Sequence, residues 1–168
     1  TDGTFGSTTR RTAVGGVVDC VDSGIDQHGG KLGGVFRGIG GGGCPVELLQ
    51  SPITIVPGTW YHVALTSDGV TARLYVDGVQ QASGNAANYS PSPHFRIGGA
   101  YCCAGDNFAG LIDEVEVHDR ALSAAEILSI YEAGDAGKCS GQTCSTPAPG
   151  LTHWYRGQNN ADDSQGAD

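Results

Sequence analysis

The chain contains no methionine and carries little positive charge. Its 168 residues include nine lysines and arginines against 18 aspartates and glutamates, which gives a formal net charge of −9. A strongly negative chain repels polyanions, so we expect neither nucleic acid nor an anionic membrane surface as a partner. Only 16% of the residues are charged, and 28 are glycine. This composition favours a turn-rich β protein over a helical one.

Long apolar runs are also missing. No stretch approaches the roughly 20 residues that cross a bilayer, so we expect no membrane insertion. No signal peptide opens the chain, and we expect it to be a mature or excised piece. A chain of 168 residues is long enough for one domain with a substantial core and too short for two full β-sandwiches. We therefore expect one folded body with tails.

Six cysteines, an even number, predict disulfide bonds and hence an oxidising compartment. Cys139 and Cys144 lie close enough in sequence to close a small loop. The remaining four allow three connectivities, and bridges from the adjacent pair to different strands are more natural than a strained ring between neighbours. These four are Cys20, Cys44, Cys102 and Cys103. A zinc site is the alternative, but the sequence contains no C-x-x-C pair.

An alternating pattern near residue 115 predicts a buried strand. Val115 and Val117 lie two apart, as burial on one face of a strand requires. The opposite face then carries Glu114, Glu116 and His118. We expect that second face to be solvated.

The residues that follow predict a short helix over about residues 123–133. Ser123 and Glu126 form the S-x-x-E pattern of a capping box, and Gly134 stands where a left-handed C-terminal residue belongs. The two positions of a hydrophobic staple around the cap are occupied by Leu122 and Ile127.

Two further strands are indicated in the middle of the chain. Tyr61, Val63 and Leu65 alternate on one face, and Leu74 and Val76 are expected to point inward. Glycine-containing turns, S-D-G and D-G, follow the two strands in order. Residues 1–50 contribute only short apolar pieces between flexible glycines.

These motifs carry a resemblance to a known family. The segments in order are GTWYHVALTSDG (58–69), ARLYVDGV (72–79), FRIGG (95–99) and FAGLIDEVEVHDRALSAAEI (108–127). Together they resemble the second half of a laminin-G-like domain of the concanavalin A-like lectin/glucanase superfamily. The resemblance implies an all-β fold, a two-sheet antiparallel jelly-roll sandwich with one short C-terminal helix, found mostly in secreted and cell-surface proteins. It implies no single activity, since the same sandwich hosts lectins, adhesion modules, spacers and glycosidases.

The end of the chain resembles the beginning of such a domain. GLTHWYRGQNNADDSQGAD (150–168) is similar to the opening strand and first loop of the family. A further strand with a tryptophan, which the family carries in its first half, is missing from residues 1–50. We therefore divide the chain into an incomplete sandwich over 1–138, a disulfide- and proline-containing linker over 139–149, and a first-strand-like segment over 150–168.

Three arrangements of this last segment are open. It opens the next repeat of a tandem array, it packs on its own body as a circular permutation does, or it donates a strand to a neighbouring copy. An unpaired sheet edge beside the last strand of the sandwich is a hazard that proteins usually cover. If a neighbouring copy fills that edge, we expect Trp154 or Tyr155 to be buried in the adjacent subunit.

The acidic residues near position 115 invite comparison with glycosidases. Retaining hydrolysis needs two carboxyl groups about 5 Å apart on one side of a sheet. Glu114 and Glu116 share a face, but the surrounding sequence D-E-V-E differs from the E-x-D-x-E pattern of laminarinase-like members of the superfamily. In laminin-G-like domains this strand is structural, and we expect no catalysis here.

Asp113 is a candidate ligand for a structural calcium ion, which laminin-G-like and related jelly rolls often hold. Calcium takes about six to eight oxygen ligands. The residues that would contribute with Asp113 are Asp106, Asn107, Asp162 and Asp163. The alternative is that the Asp113 carboxylate accepts hydrogen bonds from backbone amides in a turn.

Aromatic side chains are candidates for a platform on which sugars stack. They are Trp60, Tyr61, Tyr75, Trp154 and Tyr155. Aromatic residues in sandwich strands more often pack in the core or across strands. Because Trp60 and Tyr61 face opposite ways, only one of the two can lie in the core.

Patterns and resemblance together predict a non-catalytic extracellular or cell-surface module. We expect it to serve adhesion or to act as a building block of a repetitive or filamentous surface structure. Its partners would be copies of itself or adjacent repeats, with glycan binding as one means of attachment. The alternative is a glycan-active enzyme or the carbohydrate-binding appendage of one.

Overall fold

The computed structural model describes residues 11–18, 20–37, 46–86, 95–99, 107–134 and 149–155. The strands are β1 (Arg11–Val18), β2 (Cys20–His28), β3 (Lys31–Arg37), β4 (Val46–Thr54), β5 (Val63–Ser67), β6 (Thr71–Val76), β7 (Val79–Asn85), β8 (Phe95–Ile97), β9 (Val115–His118) and β10 (Leu151–Tyr155). A short helix, α1 (Ala124–Ala133), lies between β9 and β10 in chain order. The predicted all-β fold with one short helix is confirmed for this part of the chain.

The strands divide into three antiparallel sheets. The largest has the order β4-β3-β2-β1-β8, the second has the order β5-β6-β7, and β9 pairs with β10 in a separate two-stranded ribbon. The first two sheets pack face to face, which is consistent with the predicted jelly-roll sandwich. The first 50 residues supply β1, β2, β3 and the start of β4. Sequence patterns predicted only short apolar pieces in this region.

The core between the packed sheets follows from the alternation of β5 and β6. Leu74 is fully buried, and its cross-strand neighbour Leu65 packs against the same apolar cluster. The cluster consists of Leu49, Ala72, Leu74 and Ala86, with Val63, Leu65 and Ala82 around it. Gly34 in the opposite sheet makes room for Leu65, because a Cβ at position 34 would collide with the leucine side chain. The predicted inward faces of Val63 with Leu65 and of Leu74 with Val76 are confirmed.

The opposite face of the three-stranded sheet carries the helix. Tyr75 follows Leu74 along β6 and so points away from the core, where it is buried against Leu122 and Ile127. Ala64 and Ile130 pack against this second cluster. Tyr75 is therefore packed under the helix, and its assignment to a sugar platform is wrong.

The predicted helix ends are confirmed to within one residue. Ser123 Oγ accepts the N–H of Glu126 at 3.3 Å, and Glu126 Oε2 accepts the N–H of Ser123 at 2.8 Å, so the capping box is complete. Gly134 has a φ of +47° and donates its N–H to Tyr131 O at 3.1 Å. Within the described residues, no helix combines the length and apolar character that spanning a bilayer requires.

The D-G turn between β6 and β7 fixes the position of the helix on the sheet. Asp77 and Gly78 have φ values of +51° and +76°, as a tight hairpin turn requires. Asp77 exchanges hydrogen bonds with His62, whose N–H donates to Asp77 Oδ1 at 2.9 Å and whose O accepts Asp77 N–H at 2.9 Å. A Cβ at Gly78 would lie 2.8 Å from Leu128 Cδ1. The helix therefore packs closely on a turn that only glycine fits.

Candidate strand-docking site

Strand β9 begins directly after a residue in the left-handed conformation. Glu114 has a φ of +51°, and its N–H donates to Asp113 Oδ1 at 2.8 Å. Aspartate side chains commonly stabilise such turns by accepting a nearby amide. Asp113 therefore accepts a backbone amide in a turn, which is the role expected of it if it does not bind calcium. Val115 then starts the strand and is buried, as predicted.

Strand β10 runs antiparallel along β9 and supplies a partner for its edge. The aligned pairs are Leu151 with His118, His153 with Val117, Trp154 with Glu116 and Tyr155 with Val115. The ladder is irregular near Thr152, whose Oγ1 donates to Val117 O at 2.9 Å. In this structure the start of the last segment packs on its own body, which is the arrangement expected of a circular permutation.

The turn before β10 is bound by the two residues that follow β9. Asp119 N–H donates to Gly150 O at 2.9 Å, and Arg120 Nε donates to Pro149 O at 2.9 Å. Gly150 has a φ of +87°, a conformation that favours glycine. A Cβ at Gly150 would lie 2.5 Å from Asp119 Oδ1 and 3.2 Å from Arg120 Cγ. We call β9 with Asp119 and Arg120 the docking edge, and residues Pro149–Tyr155 the docked segment.

Arg120 also connects the docking edge to the start of the helix. Its Nη1 donates to Glu126 Oε2 at 3.1 Å and its Nη2 donates to Glu126 Oε1 at 2.5 Å. Such paired contacts between a guanidinium and a carboxylate are strong and directional. Because Glu126 also completes the capping box with Ser123, one carboxylate holds both the helix end and the side chain that binds Pro149 O. The sequence predicted the Ser123–Glu126 pair, but its pattern did not point to Arg120.

These hydrogen bonds control the ionisation of Glu126. The Arg120 guanidinium, followed by the N–H and hydroxyl of Ser123, lowers the pKa of Glu126 from 4.5 to about 2. The hydrogen bonds to Glu126 in turn raise the pKa of Arg120. The pair therefore remains charged well into acidic conditions.

Acid should weaken this site through Glu126. Because the pKa of Glu126 is lower in the folded chain than its ordinary value of 4.5, its contribution to stability is complete above about pH 4.5 and is lost as the pH falls toward 2. We expect the melting temperature of the wild-type chain to fall over this window. The fall should be smaller in Glu126→Gln, which has no carboxyl group to titrate. Thermal unfolding followed by circular dichroism from about pH 5 to about pH 2 measures both.

Glu132→Gln is the matched control for this prediction. Glu132 is an exposed glutamate on the same helix, so its replacement should leave the pH dependence of the wild-type chain unchanged. The same pH dependence in the two variants would contradict the role assigned to Glu126.

The second face of β9 is not solvated, so that prediction is wrong. Glu116 Oε2 lies 3.2 Å from His118 Nε2, and the two side chains are only 15% and 10% exposed. β10 runs directly alongside these two residues. The carboxylate of Glu116 therefore contacts an imidazole in a largely covered position, whereas Glu114 lies in the turn before the strand.

Two residues at the centre of the outer face of the five-stranded sheet are buried. Gly34 points toward the core, so Val35 points outward, and Asp26 lies on the same outer face opposite Gly33. Val35 and Asp26 have exposures of 0% and 1%.

The aromatic candidates occupy different environments. Trp60 is 62% exposed, whereas Tyr61 is half-buried and its hydroxyl accepts the N–H of Val56 at 3.1 Å. This agrees with the prediction that Trp60 and Tyr61 face opposite ways. For Trp154 and Tyr155 the backbone of β10 is described and the side chains lie outside the description.

Most of the predicted calcium ligands and cysteines lie outside the described residues. They are Asp106, Asp162, Asp163, Cys44, Cys102, Cys103, Cys139 and Cys144, while Cys20 begins β2. Asn107 and Asp113 are exposed, and the described ranges hold no group of three or more histidine, cysteine, aspartate or glutamate side chains placed to bind a metal. The calcium site and the disulfides stay predictions, as does the proposed division at residue 138.

The chain is similar to known proteins of one structural family. A family model for laminin G domains, described as the concanavalin A-like lectin/glucanases superfamily, matches residues 22–128. Similar solved structures include part of an S-layer domain-containing protein from Clostridium thermocellum, which is 22% identical over 74% of this chain with a TM-score of 0.43. The chain spans 64% of the length of that structure, and a likeness of this degree carries no functional argument. None of the curated protein sequences matches the chain.

The matched range corresponds to most of the sandwich described above. It starts within β2, contains both strands of the β6–β7 hairpin, and ends within α1. It also contains the docking edge, whereas the docked segment lies beyond its end. The chain belongs to the laminin G-like family of the concanavalin A-like lectin/glucanases superfamily.

Proposed function

We propose that this chain is a non-catalytic extracellular module that acts as a building block of a repetitive or filamentous surface structure. The observation that carries the proposal is the docked segment. A stretch similar to the start of a laminin-G-like domain lies along the edge of β9, at the end of the family match. A module whose sheet edge pairs with a segment resembling the start of such a domain is suited to being joined to further copies in series.

The edge of β9 needs such a partner for physical reasons. Among the described strands, β10 is the one that pairs with β9. Without β10 the N–H and C=O groups along that edge would lack ladder partners, and an open edge is a site of uncontrolled association. Completion of this edge is therefore part of the structural role that we propose.

Two features of the fold support a non-catalytic role. Glu116, the acid of β9 that lies within the strand, contacts His118, and Asp26 on the outer sheet face is buried. Neither carboxyl group is presented to a groove in the way that glycoside hydrolysis requires. Laminin-G-like domains are mostly non-catalytic modules, although the superfamily also includes glycosidases.

The cysteines provide a test of the extracellular location. We expect all six to be oxidised, because an even number of cysteines in a domain of a mostly secreted family forms disulfides. Mass spectrometry after alkylation without reductant should show no added label, and alkylation after reduction should label every cysteine. Label on two or more cysteines without reductant would contradict three disulfide bonds.

The building-block function predicts that the purified chain self-associates. We expect the mass measured by sedimentation velocity to rise with protein concentration, and we expect no release of sugar ends from a panel of polysaccharides. A chain that stays monomeric at high concentration would contradict the building-block role. Release of sugar ends would instead favour the alternative of a glycan-active enzyme.

Adhesion through glycans is a second candidate function because Trp60 presents an open indole ring. Exposed aromatic faces stack on sugar rings, and Trp60 is the most exposed aromatic side chain among the described residues. Glycan-array binding that is lost in Trp60→Ala would support this function. Glycan binding that is unchanged in Trp60→Ala would contradict adhesion through this residue.

A further inference from the structure

The docking edge recognises the docked segment mainly through its backbone. Asp119 N–H binds Gly150 O, and Arg120 Nε binds Pro149 O. The antiparallel ladder of β9 and β10 adds further main-chain contacts. Backbone recognition of an extended peptide by a sheet edge is an established mode of binding, in which selectivity comes from a few positions. Here one such position is Gly150, where a side chain has no room.

The rest of the fold depends very little on the docked segment. Of the described strands and the helix, β9 is the element that β10 contacts extensively. Neither packed sheet includes β10, and the described side chains of β10 belong to neither apolar cluster. A two-stranded ribbon is only marginally stable by itself. Release of the docked segment would therefore leave the sandwich core in place.

The chain before the docked segment is long enough to reach another molecule. Residues 135–148 connect the end of α1 to Pro149, and their sequence contains C-S-G-Q-T-C-S-T-P-A. At about 3.3–3.6 Å for each extended residue, such a stretch spans up to roughly 50 Å, or roughly 40 Å when the predicted disulfide joins Cys139 and Cys144. That is more than the length of β9, so the same connection permits docking on the chain's own edge or on the edge of a neighbour.

We infer that the docking edge of one copy accepts the docked segment of a second copy of this chain, with Arg120 and Gly150 as the selective contacts. This inference rests on the proposed building-block function and names the partner for it. The exchanged contacts are those observed within one chain, so exchange adds no new unfavourable contact at the site. Because the donating and accepting surfaces differ, the link is head to tail, and its repetition produces an open filament when the rotation between copies does not close a ring.

A mixture of two full-length variants tests the exchange. Arg120→Glu places a carboxylate beside Glu126 and Pro149 O, which should spoil the docking edge while leaving the docked segment intact. Gly150→Val should spoil the docked segment while leaving the docking edge intact. Each variant alone should be monomeric. Mixed in equal amounts, they should form a species of twice the 17.2 kDa mass of one chain, because the intact segment of one variant fits the intact edge of the other.

Two controls make every outcome decisive. Arg120→Ala and Gly150→Ala replace the first pair if circular dichroism shows that either first variant is unfolded. The second control adds Gly69→Val to the Arg120→Glu chain, because Gly69 lies outside the docking site. A mixture of this double variant with Gly150→Val should also form the two-chain species. Mixtures that remain monomeric while wild-type chains self-associate would overturn strand exchange and leave the building-block function standing. Wild-type chains that stay monomeric would contradict both, even if the mixture forms the two-chain species, because each wild-type chain would then keep its own segment.

Discussion

A chain with Gly150 replaced by valine is expected to lose about 3 kcal/mol of unfolding free energy. An L-residue in the left-handed conformation costs about 1–2 kcal/mol, and Gly150 has a φ of +87°. The new side chain must also displace Asp119 and Arg120, which lie within 2.5 and 3.2 Å of the added Cβ, and overpacking typically adds about 1–3 kcal/mol. Denaturant unfolding followed by circular dichroism measures the loss.

Gly69→Val separates the conformational cost from the cost of docking. Gly69 has a φ of +86°, almost identical to that of Gly150, and a Cβ there meets no atom within 4 Å. Gly69→Val should therefore lose only the conformational part. Equal losses in the two variants would mean that the contacts of Asp119 and Arg120 with the docked segment contribute nothing to stability.

Ile127→Ala should have a comparable or larger effect. Ile127 is fully buried and packs with Tyr75 and Leu122 between the helix and the three-stranded sheet. Truncation of a buried isoleucine to alanine leaves a cavity and typically costs about 2–5 kcal/mol. For a domain of this size the melting temperature should fall by about 10 °C. Calorimetry or thermal unfolding by circular dichroism gives both values.

Leu128→Ala is the control on the neighbouring position of the helix. Leu128 is 39% exposed, so its truncation removes less buried area and should cost well under half as much. A loss at Leu128 equal to that at Ile127 would show that the helix does not pack on the sheet through the face described above.

Local patterns predicted the helix because its determinants are close together in sequence. Ser123 and Glu126 lie three positions apart, and Leu122 with Ile127 flank the cap, so the capping box and staple are visible without tertiary information. The same is true of the Asp77–Gly78 turn, whose two positive φ values select these residue types.

The environment of β9 was not predictable from its own alternation. The pattern correctly placed Val115 on the buried face, but it assigned Glu116 and His118 to solvent. Their neighbours across the ladder are in β10, which arrives more than 30 residues later in the chain. An alternation with a period of two predicts which residues share one face of a strand, but it does not predict which other element lies next to that face.

Arg120 was missed for a related reason. In sequence it is one arginine in a polar turn, and its partners are a glutamate six residues later and a backbone carbonyl 29 residues later. Strands β1, β2 and β3 were only partly visible because glycine interrupts their apolar pattern, and glycine has low intrinsic strand preference. Their pairing in one sheet is decided by tertiary contacts.

Hydrogen exchange at the amides of β9 tests the pairing of the docking edge with the docked segment most directly. We predict that the amides of Val115–His118 that bond to β10 are protected in the wild-type chain. In Gly150→Val they should exchange on the order of tenfold faster or more, while the amides of β5 and β6 remain more strongly protected than those of β9. The same exchange rates at β9 in both chains would contradict the account, because they would show that the docked segment does not complete this edge.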